Sequence, residues 1–143
     1  MLTDKNIIGQ VLQKVSERNE KKAMTESYPN LFLVSDQNFE QRVLHSILPV
    51  VVDFTADWCP PCRVLAPIYA RLSSHYQGKL HFAKMDTEEN ILTPARLGIQ
   101  GLPTLVLFVN GRPIGRVVGP HPAHLQQHIE HLLAEASAEV LKE

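Results

Sequence analysis

Two periods of apolar residues alternate along this chain. Ile7, Ile8, Val11, Leu12 and Val15 recur at helical spacing and predict a helix over residues 4–22, with Thr3 or Asp4 to cap its start. Its second half, residues 16–22, is polar all round, and residues 23–30, punctuated by Pro29, read as a linker. Leu31–Val34 is a short strand. Ser35 or Asp36 then caps a helix through about Ile47, with Phe39, Val43, Leu44 and Ile47 on one face. Val50–Thr55 is apolar almost throughout, the mark of a strand covered on both sides. A helix from Cys59 to about Tyr76 turns Val64, Leu65, Ile68 and Leu72 inward and should kink at Pro67.

Leu80–Asp86 is the next strand, and Asn90–Leu97 a short helix broken by Pro94 and ended by Gly98. Residues 103–109 form a further strand. Asn110-Gly111 is a type I′ hairpin signal, so residues 112–118 return antiparallel. Pro122 opens a last helix that runs to about Ala136 or beyond with Leu125, Ile129, Leu132 and Leu133 facing in. The order is βα-βα-β-α-ββ-α. Parallel strands joined by right-handed crossovers, followed by a hairpin, make a mixed sheet.

Length adds that the 143 residues form one domain with an appendage: residues 1–28 as a helical extension and linker, 29–143 as the domain. Hydrophobic content of 44% and charged content of 20% suit a chain that buries a core. A formal net charge of −1 gives no argument for nucleic acid or an anionic membrane. No apolar run approaches a membrane span, and Met1–Ile8 lacks the charged and apolar regions of a signal peptide, so the expected location is the cytoplasm. The extension reads three ways: packed on its own domain, a mobile arm, or a docking helix for a partner or second copy.

Chemistry concentrates in Val50–Cys62, which holds both cysteines, Cys59 and Cys62, and the single tryptophan, Trp58. Two cysteines at this spacing in a cytosolic chain fit redox or metal chemistry better than a structural disulfide framework. Cys59 falls at a helix N-terminus, where unpaired N–H groups and the dipole stabilise a thiolate, and is the candidate nucleophile. Cys62, one turn in, suits a resolving thiol. The alternatives are two inert buried thiols, or a zinc site completed by His124 and His128 at i,i+4 spacing. Asp53 interrupts the apolar run. It is either a buried acid with a raised pKa or a strand-end acid that reaches water. His121, His124, His128 and His131, with Glu135, share one face of the last helix, read as a solvated face, a metal-capturing one or a pH-responsive one.

The stretches Val51-Val52-Asp53-Phe54, Ala56-Asp57-Trp58-Cys59-Pro60-Pro61-Cys62-Arg63 and Ala66-Pro67-Ile68 resemble the thioredoxin family. So do Tyr76–Leu80, Ala83–Asp86, Gly98-Ile99-Gln100-Gly101-Leu102-Pro103-Thr104 and Phe108–Gly111. The likeness covers roughly residues 30–135. It implies an α/β thioredoxin fold: three parallel strands plus a C-terminal antiparallel hairpin, with helices on both faces and here an extra N-terminal helix. It implies thiol–disulfide exchange with protein disulfides, Cys59 attacking and Cys62 resolving. Asp53 would be a buried proton acceptor for Cys62, acting through water, with Lys84 beside it. Trp58, Pro60, Pro61, Leu102, a cis Pro103, Val118 and Gly119 would face the substrate. No cofactor would be bound; NADPH would supply electrons through a flavoprotein thioredoxin reductase. The chain would be a monomer, with association through residues 1–28 open.

Three features depart from the family pattern. Pro60 stands where the family usually has Gly, and it stiffens the loop while removing an N–H that could face the Cys59 sulfur. Those effects compete, so a disulfide oxidase or isomerase remains the alternative direction. Thr55 occupies the place of a second Trp. The extension has no counterpart in a minimal thioredoxin, which leaves a partner-binding or chaperone role for it open. The Trp-Cys-Pro-Pro-Cys string also occurs in membrane-anchored relatives, but those resemble this chain less around Asp53 and residues 76–86.

Overall fold

A computed structural model of the chain describes residues 2–142. The elements are α1 (Leu2–Ser27), β1 (Leu31–Leu33), β2 (Val50–Thr55), α2 (Pro60–His75), β3 (His81–Asp86), α3 (Leu92–Leu97), β4 (Thr104–Val109), β5 (Arg112–Val118) and α4 (Leu125–Lys142). A π-helical turn at Glu40–Leu44 precedes β2, and a 3-10 turn at Pro122–His124 leads into α4. The five strands form one sheet in the order β1-β3-β2-β4-β5. β1, β3 and β2 run parallel, and β4 and β5 add the antiparallel hairpin. This is the mixed sheet expected from the pattern. Asn110 and Gly111 turn the hairpin with φ of 53° and 79°, as a type I′ turn requires.

β2 lies at the centre, and its alternate residues serve two cores. Val51 joins Leu65, Tyr69, Phe82, Leu107 and Ile129 on the face covered by α2 and α4. Val50, Val52 and Phe54 join Phe39, Val43, Met85 and Phe108 on the other. Burial on both faces explains why this strand reads as continuous apolar sequence rather than an alternation.

The helices depart from expectation in particular ways. α1 continues to Ser27, and Met24 and Tyr28 pack against the core, so little of the expected linker remains. Its expected cap at Thr3 or Asp4 lies outside the side chains described. Residues 35–47 do not form a regular helix, and Ile47 is 96% exposed rather than packed. The reason is local competition for hydrogen bonds. Asn38 Oδ1 accepts from the Ser35 N–H at 2.8 Å. Asp36 serves α3 instead, its carboxylate accepting from the N–H groups of Leu92 and Thr93 at 3.1 and 2.9 Å. Pro94 does not break α3, because it sits in the first turn, where a missing N–H leaves no helical bond unmade.

α2 keeps the expected Leu65, Ile68 and Leu72 on the core side but turns Val64 outward. Cys62, Leu65, Tyr69, Ala70 and Ser73 are buried, whereas Val64 is 57% exposed. The Tyr69 hydroxyl donates within reach of two carbonyls, Val51 on β2 at 2.9 Å and Ala83 on β3 at 2.8 Å. That polar tip lets a large ring fill the core without an orphaned group.

Candidate functional site

The site is assembled where β2 hands over to α2. Cys59 is the N-cap of α2, in an extended conformation, and its sulfur accepts from the Cys62 N–H at 3.4 Å. Pro60 and Pro61 take the first two helical positions, where their fixed φ suits the helix and neither has an N–H to offer. The dithiol loop therefore aims one first-turn donor, that of Cys62, at the cap sulfur. Cys59 and Cys62 are joined as a disulfide across a Cα–Cα distance of 5.2 Å, ordinary for such a bond. Their exposures, 4% and 2%, hardly differ. What differs is direction: Cys59 stands at the cap beside the surface loop at Leu102, while Cys62 heads the buried stripe of α2.

The loop before β4 comes to the disulfide from a distant part of the chain. The Leu102–Pro103 peptide is cis, and the Leu102 carbonyl lies 3.8 Å from the Cys59 sulfur. The Pro103 carbonyl accepts from the Gly119 N–H at 2.8 Å, which ties the loop to the end of β5. Gly119 has φ of 59°, a left-handed conformation suited to glycine. Val118, paired with Thr104 and packed against Gly101, is exposed beside this loop, and Trp58, next to Cys59 in the chain, is 62% exposed. Pro60 and Pro61 are exposed at the mouth of the dithiol loop, and Leu102 is half-buried. Trp58, Pro60, Pro61, Leu102, Pro103, Val118 and Gly119 thus come from the dithiol loop and the two segments tied together beside it. The Trp58 indole donates to Glu88 at 2.6 Å, a partner that no sequence pattern singles out.

Asp53 is fully buried, and neither carboxylate oxygen has a hydrogen-bond partner. Burial pushes its pKa up to about 6, partly opposed by the charge of Lys84. The strand-end reading, an acid reaching water, is therefore corrected: Asp53 lies inside β2 and behind the site. Tyr69, missed in the sequence, is its neighbour. Burial first, and the Asp53 charge second, push its hydroxyl pKa well above the usual value.

The histidine face does not approach the dithiol as a ligand set. His121 and His124 rings lie 5.1 Å apart, and His131 Nε2 is 3.0 Å from Glu135. Among the described residues no group of three or more His, Cys, Asp or Glu side chains could hold a metal ion. No described helix is long and apolar enough to cross a membrane.

A redox-ready Cys-x-x-Cys pair at a helix cap, on a mixed sheet and beside a cis-proline loop, defines a thiol–disulfide oxidoreductase. The thioredoxin family model matches residues 30–131. The thioredoxin of Synechocystis sp. is 46% identical over 89 residues, covering 62% of this chain and 83% of its own. That of Haemophilus influenzae is 37% identical over 101 residues, covering 67% and 94%. Thioredoxin M2, chloroplastic, of Arabidopsis thaliana is 37% identical over 97 residues, covering 68% of this chain and 52% of that one. The chain belongs to the thioredoxin family and is a protein-disulfide oxidoreductase.

Proposed function

We propose that the chain reduces protein disulfides, with Cys59 as nucleophile and Cys62 as resolving thiol. The observation that carries the assignment is the placement of Cys59 at the α2 cap, 3.8 Å from the Leu102 carbonyl, with Cys62 on the inward stripe. The Cys59 thiolate attacks one sulfur of the client disulfide. A mixed disulfide forms and the other client sulfur departs as a thiolate. Cys62 gives its proton to Asp53, directly or through water, and attacks the Cys59 sulfur. The second client thiolate leaves, and two electrons have passed from the dithiol to the client. Lys84, beside Asp53, steadies the carboxylate once it is ionised.

Trp58, Pro60, Pro61, Leu102, Pro103, Val118 and Gly119 form the client-facing surface. An extended client segment pairs there with the backbone of Leu102, a short β-augmentation that tolerates many sequences. The sulfurs carry the electrons, so the exchange needs no bound cofactor. Recharging calls for an external dithiol, assigned to a flavoprotein thioredoxin reductase fed by NADPH. Residues 29–143 make the working domain and 1–28 its extension, in a cytoplasmic monomer. The exposed Ile7, Ile8, Val11, Leu12 and Val15 favour association through the extension as a secondary property.

The paired prolines favour the reducing direction over oxidase or isomerase. Strong oxidants owe their character to a stabilised thiolate in the reduced form, and this loop withholds donors from the cap sulfur. The test is replacement of each cysteine. Cys59→Ser abolishes turnover of a protein disulfide, and Cys62→Ser traps the client as a mixed disulfide. Turnover that persists in Cys59→Ser overturns the assignment.

A further inference from the structure

α1 does more than cap an edge of the sheet. Its Gln13, Lys22, Met24 and Thr25 form one side of a crevice of about 940 Å³. Across the crevice stand Thr55, Cys62, Ala66 and Lys84, the surroundings of the resolving thiol. Leu33 lines it as well, at the outer end of a row that crosses the sheet. In that row Leu33 pairs with Lys84, and Lys84 with Asp53. Asp53 therefore sits immediately behind the crevice wall, one strand inward from Lys84 and two residues along β2 from Thr55, on the same face. Met24 fixes the C-terminal end of α1 to the core, which holds the helix in place beside the opening. The residues lining the crevice include none of Trp58, Leu102, Pro103, Val118 or Gly119, so it is separate from the client-facing rim.

We propose that α1 walls the path by which water reaches Asp53 and Cys62, and thereby sets the rate and pH dependence of the resolving step without acting in client capture. The inference rests on Asp53 as proton acceptor. A crevice half-closed by a helix admits less water than an open sheet edge, and a buried carboxylate loses its charge more readily as water is withdrawn. The groups beside Asp53 are Lys84 from β3 and Tyr69 from α2, and Cys62 lines the same crevice as Lys84. Around the crevice stand Asp57 and Arg63 near the start of α2, Asp86 and Glu89 at the end of β3 and beyond it, and Lys22 on α1. Removing α1 would also remove Lys22, and the loss of that positive charge opposes the effect of added water. Lys22 is largely exposed, 4.0 Å from Glu26 on its own helix, and screened. Burial is the larger influence on Asp53, so the water effect wins.

The experiment compares the full chain with one lacking residues 2–22, which keeps Met24 and Tyr28 on the core. Stopped-flow kinetics separate attack by Cys59 from release of the mixed disulfide, and carboxyl-carbon NMR follows Asp53 directly. Truncation should leave attack unchanged. It should lower the Asp53 midpoint and the release midpoint together by about half a pH unit, roughly a threefold faster release below the midpoint. Gln13→Ala in the full chain should move both in the same direction, and it carries the test if the truncated chain misfolds. An unmoved Asp53 midpoint in the folded variants, or attack and release changing equally, overturns the inference. A full chain in which Asp53 titrates but release does not follow it would instead overturn the proton-acceptor role itself.

Discussion

Asp53 and Lys84 are register partners on adjacent parallel strands, β2 and β3, yet they differ sharply in access to water. Asp53 is fully buried, while Lys84 is half-buried and lines the crevice. The lysine side chain touches solvent directly; the acid lies behind it with no exposed surface. The acid therefore titrates high, near 6 against a reference of 3.8. The sign for stability follows. Between those values the folded state holds a proton that the unfolded state has released, so stability falls as pH rises from about 4 to 6 and then levels. The full loss is on the order of 3 kcal/mol. Asp53→Asn removes the buried charge but leaves an amide to be satisfied. We expect the variant to be more stable than the parent by about 1–2 kcal/mol at pH 8. Urea unfolding at pH 8 and pH 4 checks this; a gain as large at pH 4 would count against burial of the charge as its cause.

The same substitution should separate the two chemical steps. Asparagine cannot take the Cys62 proton, so release of the mixed disulfide should slow by about 10–100-fold at pH 7, while attack by Cys59 changes little. Equal slowing of both would remove Asp53 from the mechanism.

Lys84→Met keeps much of the aliphatic stem and deletes the charge. With that attraction gone, the Asp53 midpoint should rise above its parent value, and the acid limb of the release profile should move up with it. Carboxyl-carbon NMR gives the midpoint without reference to activity. A fall on losing Lys84 would contradict the pairing.

The parts legible in the sequence are those where one local cause dominates. β2 could be read because burial on both faces demands an unbroken apolar run. The hairpin could be read because two successive positive φ values select Asn110-Gly111. Asp53 stood out because a carboxylate in such a run needs a reason. Residues 35–47 misled because the apolar spacing of Phe39, Val43 and Ile47 is helical, while Asp36 and Asn38 spend their side chains on distant or local N–H groups. Val64 faces out and Tyr69, which the apolar pattern passes over, faces in, because hydrophobicity alone does not set the phase of α2. Its inward stripe follows Cys62, and Tyr69 falls on that stripe while its hydroxyl reaches carbonyls on two strands. The crevice beneath α1 left no trace in the pattern, since it joins segments far apart in the chain and is lined largely by polar side chains.

Trp58 should act on client binding rather than on sulfur chemistry. Its ring is exposed, and its one polar atom is held by Glu88. Trp58→Ala should raise KM for a protein disulfide by about 10-fold, the scale of a lost aromatic contact at a binding surface, and leave reduction of a small disulfide nearly unchanged. Glu88→Gln keeps an acceptor and should do much less. A comparable loss toward the small disulfide would place Trp58 in the chemistry.

Pro60→Gly tests what the paired prolines do. Glycine restores an N–H at the first position of α2, one residue from the cap sulfur. An added donor stabilises the thiolate more than the neutral thiol, so the Cys59 pKa should fall. Stabilising the reduced form makes the disulfide a stronger oxidant, so equilibrium with glutathione should shift toward the dithiol by several-fold. Loop stiffness, set against the lost N–H in the sequence reading, acts with it instead: glycine also loosens the loop in the reduced state, which makes closing the disulfide entropically harder and pushes the equilibrium the same way. Thiolate absorbance against pH reports the first effect, and the glutathione titration reports the sum. If the pKa is unmoved but the equilibrium shifts, loop stiffness alone accounts for the poise. If the equilibrium moves toward the disulfide, Pro60 is not what holds this chain on the reducing side.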